Sequence, residues 1–401
     1  MIDIEKARAE MAKRGLDVLV AGSLTNTFYC TGHYSHVWYI IRDEIRLAVI
    51  PRDSHPFVVC PDIEVGSYTK NGLFDAYEFP MDVYYKYPPG ADRYLKAREN
   101  IKEFEAVWKS MDVRKMLTAT PGLLLAKVLR DRGLSGARIG VDKEYVEAEL
   151  FEDLGRALPQ AELKDGTDLF LRLRAIKSAQ ELEYIVQATR ITERAIETSF
   201  PLVKEGGSMA EIKQNVIDQM SVENSEPFEM VIMASPLPLG EILPTSLGAL
   251  RSGMIFRWDV GAKYNHYCAD VGRQVAIGEA PREAREFYNV VLQTTDAMVE
   301  KLRPGTKAKD LYRAAHDVME KVDPDYNRRL FNGHGLGIEL HELPYIGPLS
   351  DDVLEPGMVI TLEVPHYTAG GYGFNYEDMY LITEDGHQLL SDRLSRELLT
   401  M

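Results

Sequence analysis

Two pairs of acidic residues in the C-terminal half of the chain occupy positions where β-hairpins would bring carboxylates together. In residues 254–278, apolar alternation flanks a predicted turn near Tyr264–Asn265, and Asp259 and Asp270 are symmetric about that turn. Antiparallel pairing would then set the two carboxylates opposite one another on one face. Carboxylates that face each other repel unless a shared proton or a metal ion lies between them.

A second hairpin is predicted over residues 357–383, with Gly370–Gly371 at its centre. Glu363 and Glu377 are symmetric about Gly370, so they too can face each other. Glu363 follows the apolar run MVITL, where a lone charge is costly unless it is paired or bound to a metal.

Between the hairpins, the glycine-rich segment 332–344 (NGHGLGIELHELP) carries His334 and His341. An odd separation of seven residues points two side chains of an extended segment to opposite faces. A bend or a bulge must therefore intervene if both histidines serve one site.

Each of these residues alone is more often a strand-end or structural residue, so their joint arrangement carries the prediction. Four carboxylates and one imidazole form a predominantly oxygen ligand set, which suits two divalent metal ions. Manganese is the first choice, and iron, cobalt or zinc are alternatives. The predicted metal ligands are Asp259, Asp270, His334, Glu363 and Glu377.

Composition narrows the functional class. The chain has 401 residues and a formal net charge of -16, which disfavours binding to nucleic acid. Three separated cysteines offer no disulfide framework. The N-terminal segment lacks the apolar core of a signal peptide, and no segment is long and apolar enough for a membrane span. We therefore expect a cytoplasmic protein without a membrane partner.

Helices and strands alternate in the N-terminal part, which predicts an α/β domain over residues 1–165. The expected elements there are a helix at 4–15, a strand at 17–21, a loop at 23–31, strands at 45–50 and 56–60, a helix at 120–132 and a strand at 137–141. Residues 80–110 are also interpreted as a loop.

A second domain, of α+β type, is predicted over residues 166–401. Residues 165–174 form a predicted connector, and Ser178 with Glu181 make a capping box that begins a long helix. The expected helices are 178–198, 208–220, 284–302 and 308–322.

The motifs WDVG, ADVGR, GHGLGIELHE, LEPGMVITLEVP and YEDMYLITEDG, in this order, resemble the creatinase/prolidase/methionine-aminopeptidase family, which has the pita-bread fold. The N-terminal half resembles the creatinase-type N-terminal domain. The resemblance implies that Asp259 binds one metal ion and that Asp270 and Glu377 bridge two. It implies that His334 and Glu363 complete the second metal shell, that Glu363 also carries a proton, and that His341 stabilises the tetrahedral intermediate.

Two positions depart from the pattern of peptide-cleaving members. Ile242 stands where these usually have a histidine, and Asn375 where they often have an arginine. His366 is a possible replacement in substrate binding, although a polar strand-end role is the simpler interpretation.

The resemblance also implies a homodimer in which an N-terminal loop of one subunit reaches the site of the other. The candidate segment is residues 31–42, and Trp38, Tyr39 and Arg42 are the possible substrate contacts. An ordinary surface or dimer-packing segment is the alternative.

Three functions remain open from the sequence. The first is a metal-dependent hydrolase of a peptide or amide bond that resembles Xaa-Pro dipeptidases and aminopeptidases. The second is a hydrolase or lyase of a small non-peptide metabolite of the ectoine or dimethylsulfoniopropionate type, which the loss of the histidine at position 242 favours. The third is a non-catalytic binding protein, which the complete ligand set disfavours.

Overall fold

A computed structural model describes residues 1–35, 46–61, 64–69, 72–79, 120–143, 146, 148–222, 224–235, 249–324, 330–367 and 372–401. The chain forms two compact units, Met1–Leu173 and Arg174–Met401. The sequence-based domain limits of 1–165 and 166–401 stay a prediction. The predicted loop at 80–110 lies outside the described residues, as do Trp38, Tyr39, Arg42 and Ile242.

The first unit is built around a mixed sheet of strand order β4-β3-β2-β1-β5-β6. The strands are β1 Val18–Ala21, β2 Leu47–Pro51, β3 Phe57–Pro61, β4 Asp75–Phe79, β5 Arg138–Val141 and β6 Glu162–Asp165. The helices are α1 Ile4–Lys13, α2 Leu24–Thr31, α3 Val65–Thr69, α4 Pro121–Asp131, α5 Ala148–Ala157 and α6 Thr167–Ala175, the last of which runs into the second unit.

Two predictions in this part of the chain were wrong. The expected loop 23–31 is helix α2, which begins where the Ser23 side chain accepts a hydrogen bond from the Asn26 amide and ends at Gly32 in the left-handed conformation. The expected connector 165–174 is largely helix α6. Its buried Leu169, Phe170 and Leu173 follow helical spacing, which is hard to distinguish from an apolar connector in so short a segment.

The second unit is built around a sheet of strand order β12-β11-β13-β14-β10-β8-β7, in which neighbouring strands on this path are antiparallel. The strands are β7 Ser225–Ser235, β8 Ile255–Tyr264, β9 Tyr267–Cys268, β10 Val271–Ala276, β11 Gly333–Gly335, β12 Glu342–Tyr345, β13 Val359–Tyr367, β14 Gly373–Ile382, β15 His387–Leu389 and β16 Leu399–Thr400. The helices are α7 Ala179–Ser199, α8 Met209–Met220, α9 Arg282–Val299 and α10 Ala308–Met319.

The two faces of this sheet differ in chemistry. On one face, here called the helix face, alternate residues of β13 and β14 such as Leu362 and Tyr376 join the apolar core with α9 and α10. Residues of opposite parity, among them Glu363 and Glu377, point to the other face, here called the carboxylate face. The strand period of two therefore separates the core from the candidate site.

Helix α7 confirms the predicted capping box, because Ser178 and Glu181 exchange hydrogen bonds at its first turn. Within the described ranges, none of the helices combines the length and the apolar character that crossing a membrane requires.

Candidate metal centre

Three of the predicted ligands converge at the carboxylate face. Asp270, His334 and Glu377 each offer one ligand atom, and these atoms all lie within 4.8 Å of one another. The His334 Nε2 atom is 3.8 Å from Asp270 Oδ2. All three side chains are buried, although they come from distant parts of the sequence. Such a group matches the donors that hold a divalent ion.

The other two predicted ligands lie beside this group. Glu363 pairs directly with Glu377 across β13 and β14, as the symmetry about Gly370 predicts. Asp259 lies beyond Gly272, which is the register partner of both Asp259 and Glu377. A Cβ atom at Gly272 would lie 2.8 Å from Glu377 Cβ, so only glycine lets the strands carry these carboxylates this close together.

The first hairpin corrects the predicted register. Asp259 pairs with Gly272 rather than lying opposite Asp270, so the two aspartates are diagonal neighbours. The reason is the turn, whose central residues are Asn265 and His266, both with positive φ. A two-residue turn of this conformation matches strand twist, and it moves the centre one residue beyond the predicted position.

A bulge brings the two histidines together, as their odd separation required. The register of β11 against β12 shifts between His334 and Gly335. The centroids of the His334 and His341 rings are then 3.9 Å apart. His341 is exposed, whereas the His334 ring that it contacts is buried.

Burial and mutual repulsion control the acidic pair at the centre. Burial raises the pKa of Asp270 and of Glu377 well above their ordinary values, and the neighbouring charges of Asp259 and Glu363 add to the effect on both. Asp270 Oδ1 has no hydrogen-bond partner among the described residues. A buried oxygen without a donor, surrounded by other carboxylates, is the environment that a divalent cation would stabilise.

His334 is held as a neutral imidazole. Burial, helped by the nearby His341 ring, lowers the pKa of His334 to about 3. Its Nδ1 atom is 3.0 Å from the Gly335 carbonyl oxygen, which can accept a hydrogen bond from that nitrogen. In this tautomer the lone pair of Nε2 points towards Asp270 and is available to a metal.

Three further polar residues belong to this region, and of these the sequence analysis singled out Asn375 alone. The Asn375 side-chain amide donates to Asp259 Oδ2 at 3.0 Å and to Glu377 Oε2 at 3.4 Å. The Thr361 hydroxyl donates to Glu377 Oε1. Burial, followed by the charge of Asp259, raises the pKa of Glu229 to about 7. Strand alternation from Glu363 could have indicated Thr361, whereas Glu229 depends on the pairing of β7 with β8.

His366 is not brought together with these carboxylates. Its position, three residues after Glu363, places it on the helix face, where its ring centroid lies 4.2 Å from that of Phe287. Its Nε2 atom is 3.0 Å from Asp323 Oδ2. This geometry agrees with the simpler interpretation of a polar strand-end residue.

The sequence matches two known protein families and is similar to several peptidases. Residues 183–384 match the family described as Metallopeptidase family M24, and residues 4–176 match the Creatinase/Prolidase N-terminal domain. An Xaa-Pro dipeptidase of Pyrococcus furiosus is 34% identical over 244 residues, which are 59% of this chain and 69% of that protein. An uncharacterized peptidase of Staphylococcus epidermidis is 26% identical over 395 residues, 98% of this chain and 99% of that one.

The fold is similar to that of solved peptidase structures. An Xaa-Pro dipeptidase from Bacillus anthracis superposes with a TM-score of 0.78 at 20% identity, and the match covers 99% of both chains. At this level of sequence identity, the similarity shows the fold alone.

Proposed function

This chain belongs to metallopeptidase family M24, and from that membership we propose that it is a dipeptidase that cleaves Xaa-Pro dipeptides. Membership makes it a metal-dependent hydrolase of peptide bonds. The expected fold, a creatinase-type α/β domain followed by a pita-bread catalytic domain, is confirmed. The two alternatives, a small-metabolite enzyme and a non-catalytic binding protein, are not favoured, because the relatives are peptidases.

The observation that carries the proposal is the buried group of Asp270, His334 and Glu377, whose ligand atoms lie within 4.8 Å of one another. We propose that these three residues, with Asp259 and Glu363 beside them, hold two divalent metal ions. When bound, such ions would lower the pKa of a water molecule and polarise the carbonyl of the scissile bond.

The side chains of the chain itself then have two tasks. Glu363 would take a proton from the attacking water and deliver it to the leaving nitrogen, since its carboxylate lies directly across from Glu377. The imidazole of His341, whose ring contacts that of His334, would donate a hydrogen bond to the oxyanion that develops from the carbonyl.

Finer features of the enzyme also belong to this proposal. We infer that manganese is the native metal, with iron, cobalt or zinc as substitutes, because the ligands are mainly carboxylates. We further propose a cytoplasmic homodimer in which Trp38, Tyr39 or Arg42 of one subunit contacts substrate in the other. Unchanged KM and kcat in Arg42→Ala and Trp38→Ala variants would contradict that contact.

The activity is tested with a panel of Xaa-Pro dipeptides and purified protein that has been stripped of metal and reloaded with manganese. At least one dipeptide should be hydrolysed, and chelation should abolish turnover. Glu377→Gln should bind less metal and lose activity, whereas Glu384→Gln, an exposed substitution, should behave as the wild type. No hydrolysis of any dipeptide with manganese, iron, cobalt or zinc would refute the proposal.

A further inference from the structure

Arg257 is a buried cation without an acidic partner among the described residues. It is 3% exposed, and no carboxylate of the described chain pairs with it. Its Nη2 atom is 3.5 Å from the Met233 sulfur, and its Nε atom has no hydrogen-bond partner. The other buried cations each pair with a carboxylate, namely Arg46 with Glu64, Arg174 and Lys177 with Glu342, and Arg273 with Asp378.

Arg257 lies on the carboxylate face, one row of side chains away from the predicted metal ligands. Arg257 precedes Asp259 by two residues on β8, so the two side chains share a face. Trp258, between them, points the other way and contacts Phe200. The register partner of Arg257 is Gln274, whose side-chain amide donates to the Asn375 carbonyl oxygen. Arg257 therefore lies beside the Gln274–Asn375 contact, and Asn375 in turn donates to Asp259.

An aromatic ring lies against the Arg257 side chain. The Arg257 guanidinium carbon lies 4.6 Å from the ring centroid of Tyr367. Tyr367 shares the face of Glu363 on β13, and strands β14 and β10 separate β13 from β8 in the sheet. The guanidinium and the ring are therefore in contact although two strands lie between β8 and β13.

A guanidinium without a counter-charge is costly to bury, and its planar fork of donors matches a carboxylate. Arg257 and Asp259 are two positions apart on β8, which corresponds to about 7 Å along the strand. One extended peptide residue spans roughly 3.3–3.6 Å, so a carboxylate one residue beyond the scissile bond falls within reach of the arginine side chain.

We propose that Arg257 binds the free C-terminal carboxylate of the substrate and thereby restricts the enzyme to substrates with one residue after the scissile bond. This inference rests on the proposed peptidase function. A longer or amidated peptide would leave the guanidinium without its counter-charge. Arg257, on β8, is therefore a specificity-determining residue of this enzyme.

The test compares an Xaa-Pro dipeptide with its C-terminal amide, using manganese-loaded protein. Wild type should hydrolyse the free acid with a kcat/KM about 100-fold higher or more, as expected when a buried charged group loses its partner. In Arg257→Met, kcat/KM for the acid should fall by a similar factor while that for the amide stays within about twofold. The exposed Arg282→Met is the matched control and should keep the wild-type preference.

Thermal stability distinguishes a substrate-binding role of Arg257 from a purely structural one. Without ligand, Arg257→Met should unfold at or above the wild-type temperature, since an unpaired buried charge is removed. Arg273→Met, which breaks a buried pair, should unfold well below it. Equal losses on acid and amide, or a strong drop in the unfolding temperature of Arg257→Met, would overturn the proposal.

The role of Arg257 in carboxylate binding can also be tested if the protein hydrolyses neither peptide. Binding of the dipeptide acid and amide to the metal-loaded protein can be followed by calorimetry, and wild type should bind the acid more tightly while Arg257→Met binds both alike. If neither peptide is hydrolysed but this binding difference appears, the peptidase proposal fails and the assignment of Arg257 stands. Should Arg257→Met not fold, Arg257→Lys serves in its place and should keep part of the preference, because the charge remains but the fork is lost.

Discussion

At the scale of single residues, the candidate site is a set of charges that destabilise one another unless a cation intervenes. Burial deprives Asp270 and Glu377 of water, and their neighbours add negative charge. The only amide between Asp259 and Glu377 in the described contacts is that of Asn375. One neutral amide cannot balance several carboxylates, so the residues present fit a metal better than they fit a proton-bridged pair alone.

His341 gives a direct test of the chemistry at this scale. His341→Ala should lower kcat by about 100- to 1000-fold, because a donor aimed at the developing oxyanion is lost. The metal content of the purified variant should not change, since His341 lies outside the ligand group of Asp270, His334 and Glu377. Steady-state kinetics with metal analysis would check both statements. The exposed His55→Ala is the control, and a His341→Ala enzyme with normal kcat would contradict the assigned role.

At the scale of elements, the sequence predicts which side chains share a face of the sheet better than it predicts the register of the strands. Alternation and symmetry correctly indicate that Glu363 faces Glu377, and the odd spacing of His334 and His341 correctly requires a bulge. The first hairpin is mispredicted because a shift of one residue in the turn is invisible in the apolar pattern. The Asn375–Asp259 contact could not be predicted either, because it depends on the curvature of the sheet across strands distant in sequence.

A buried ion cluster supports the segment that carries His341. Glu342 Oε2 is 3.0 Å from Lys177 Nζ, and its Oε1 accepts from the amides of Ile338 and Glu339. Burial alone would raise the pKa of Glu342, but the charges of Lys177 and Arg174 outweigh it and lower that pKa. The cluster therefore ties the segment before His341 to Arg174 in α6 and to Lys177, which precedes α7.

Neutralising this cluster should be costly. Glu342→Gln keeps the shape and an acceptor for the two amides but leaves the buried Lys177 without a carboxylate, so the free energy of unfolding should fall by about 3–5 kcal/mol. Urea unfolding followed by circular dichroism measures the change, and the half-exposed Glu320→Gln provides the comparison. A Glu342→Gln protein as stable as the wild type would show that the cluster does not hold this segment.

At the scale of the whole molecule, metal and protons compete for the same groups. The chain carries 62 acidic and 46 basic residues, and other carboxylates surround the buried Asp270 and Glu377. Their folded pKa values are raised, so without metal their contribution to stability is present below the ordinary values of 3.8 and 4.5 and is lost as pH rises through the folded values. Metal needs the deprotonated forms, so its affinity should rise over the same interval.

The metal-dependent gain in stability should therefore increase with pH. Manganese at a hundredfold excess over its Kd should add about 2.7 kcal/mol to the free energy of unfolding. Thermal unfolding of chelated and manganese-loaded protein at pH 5.5 and at pH 8 should show the larger difference at pH 8, because fewer protons must then be displaced from Asp270 and Glu377. Glu377→Gln should lose most of the difference at both values, while the exposed Glu384→Gln should retain it. If the difference between chelated and manganese-loaded protein is equal at both pH values, or larger at pH 5.5, the stabilising ion does not bind at Asp270 and Glu377.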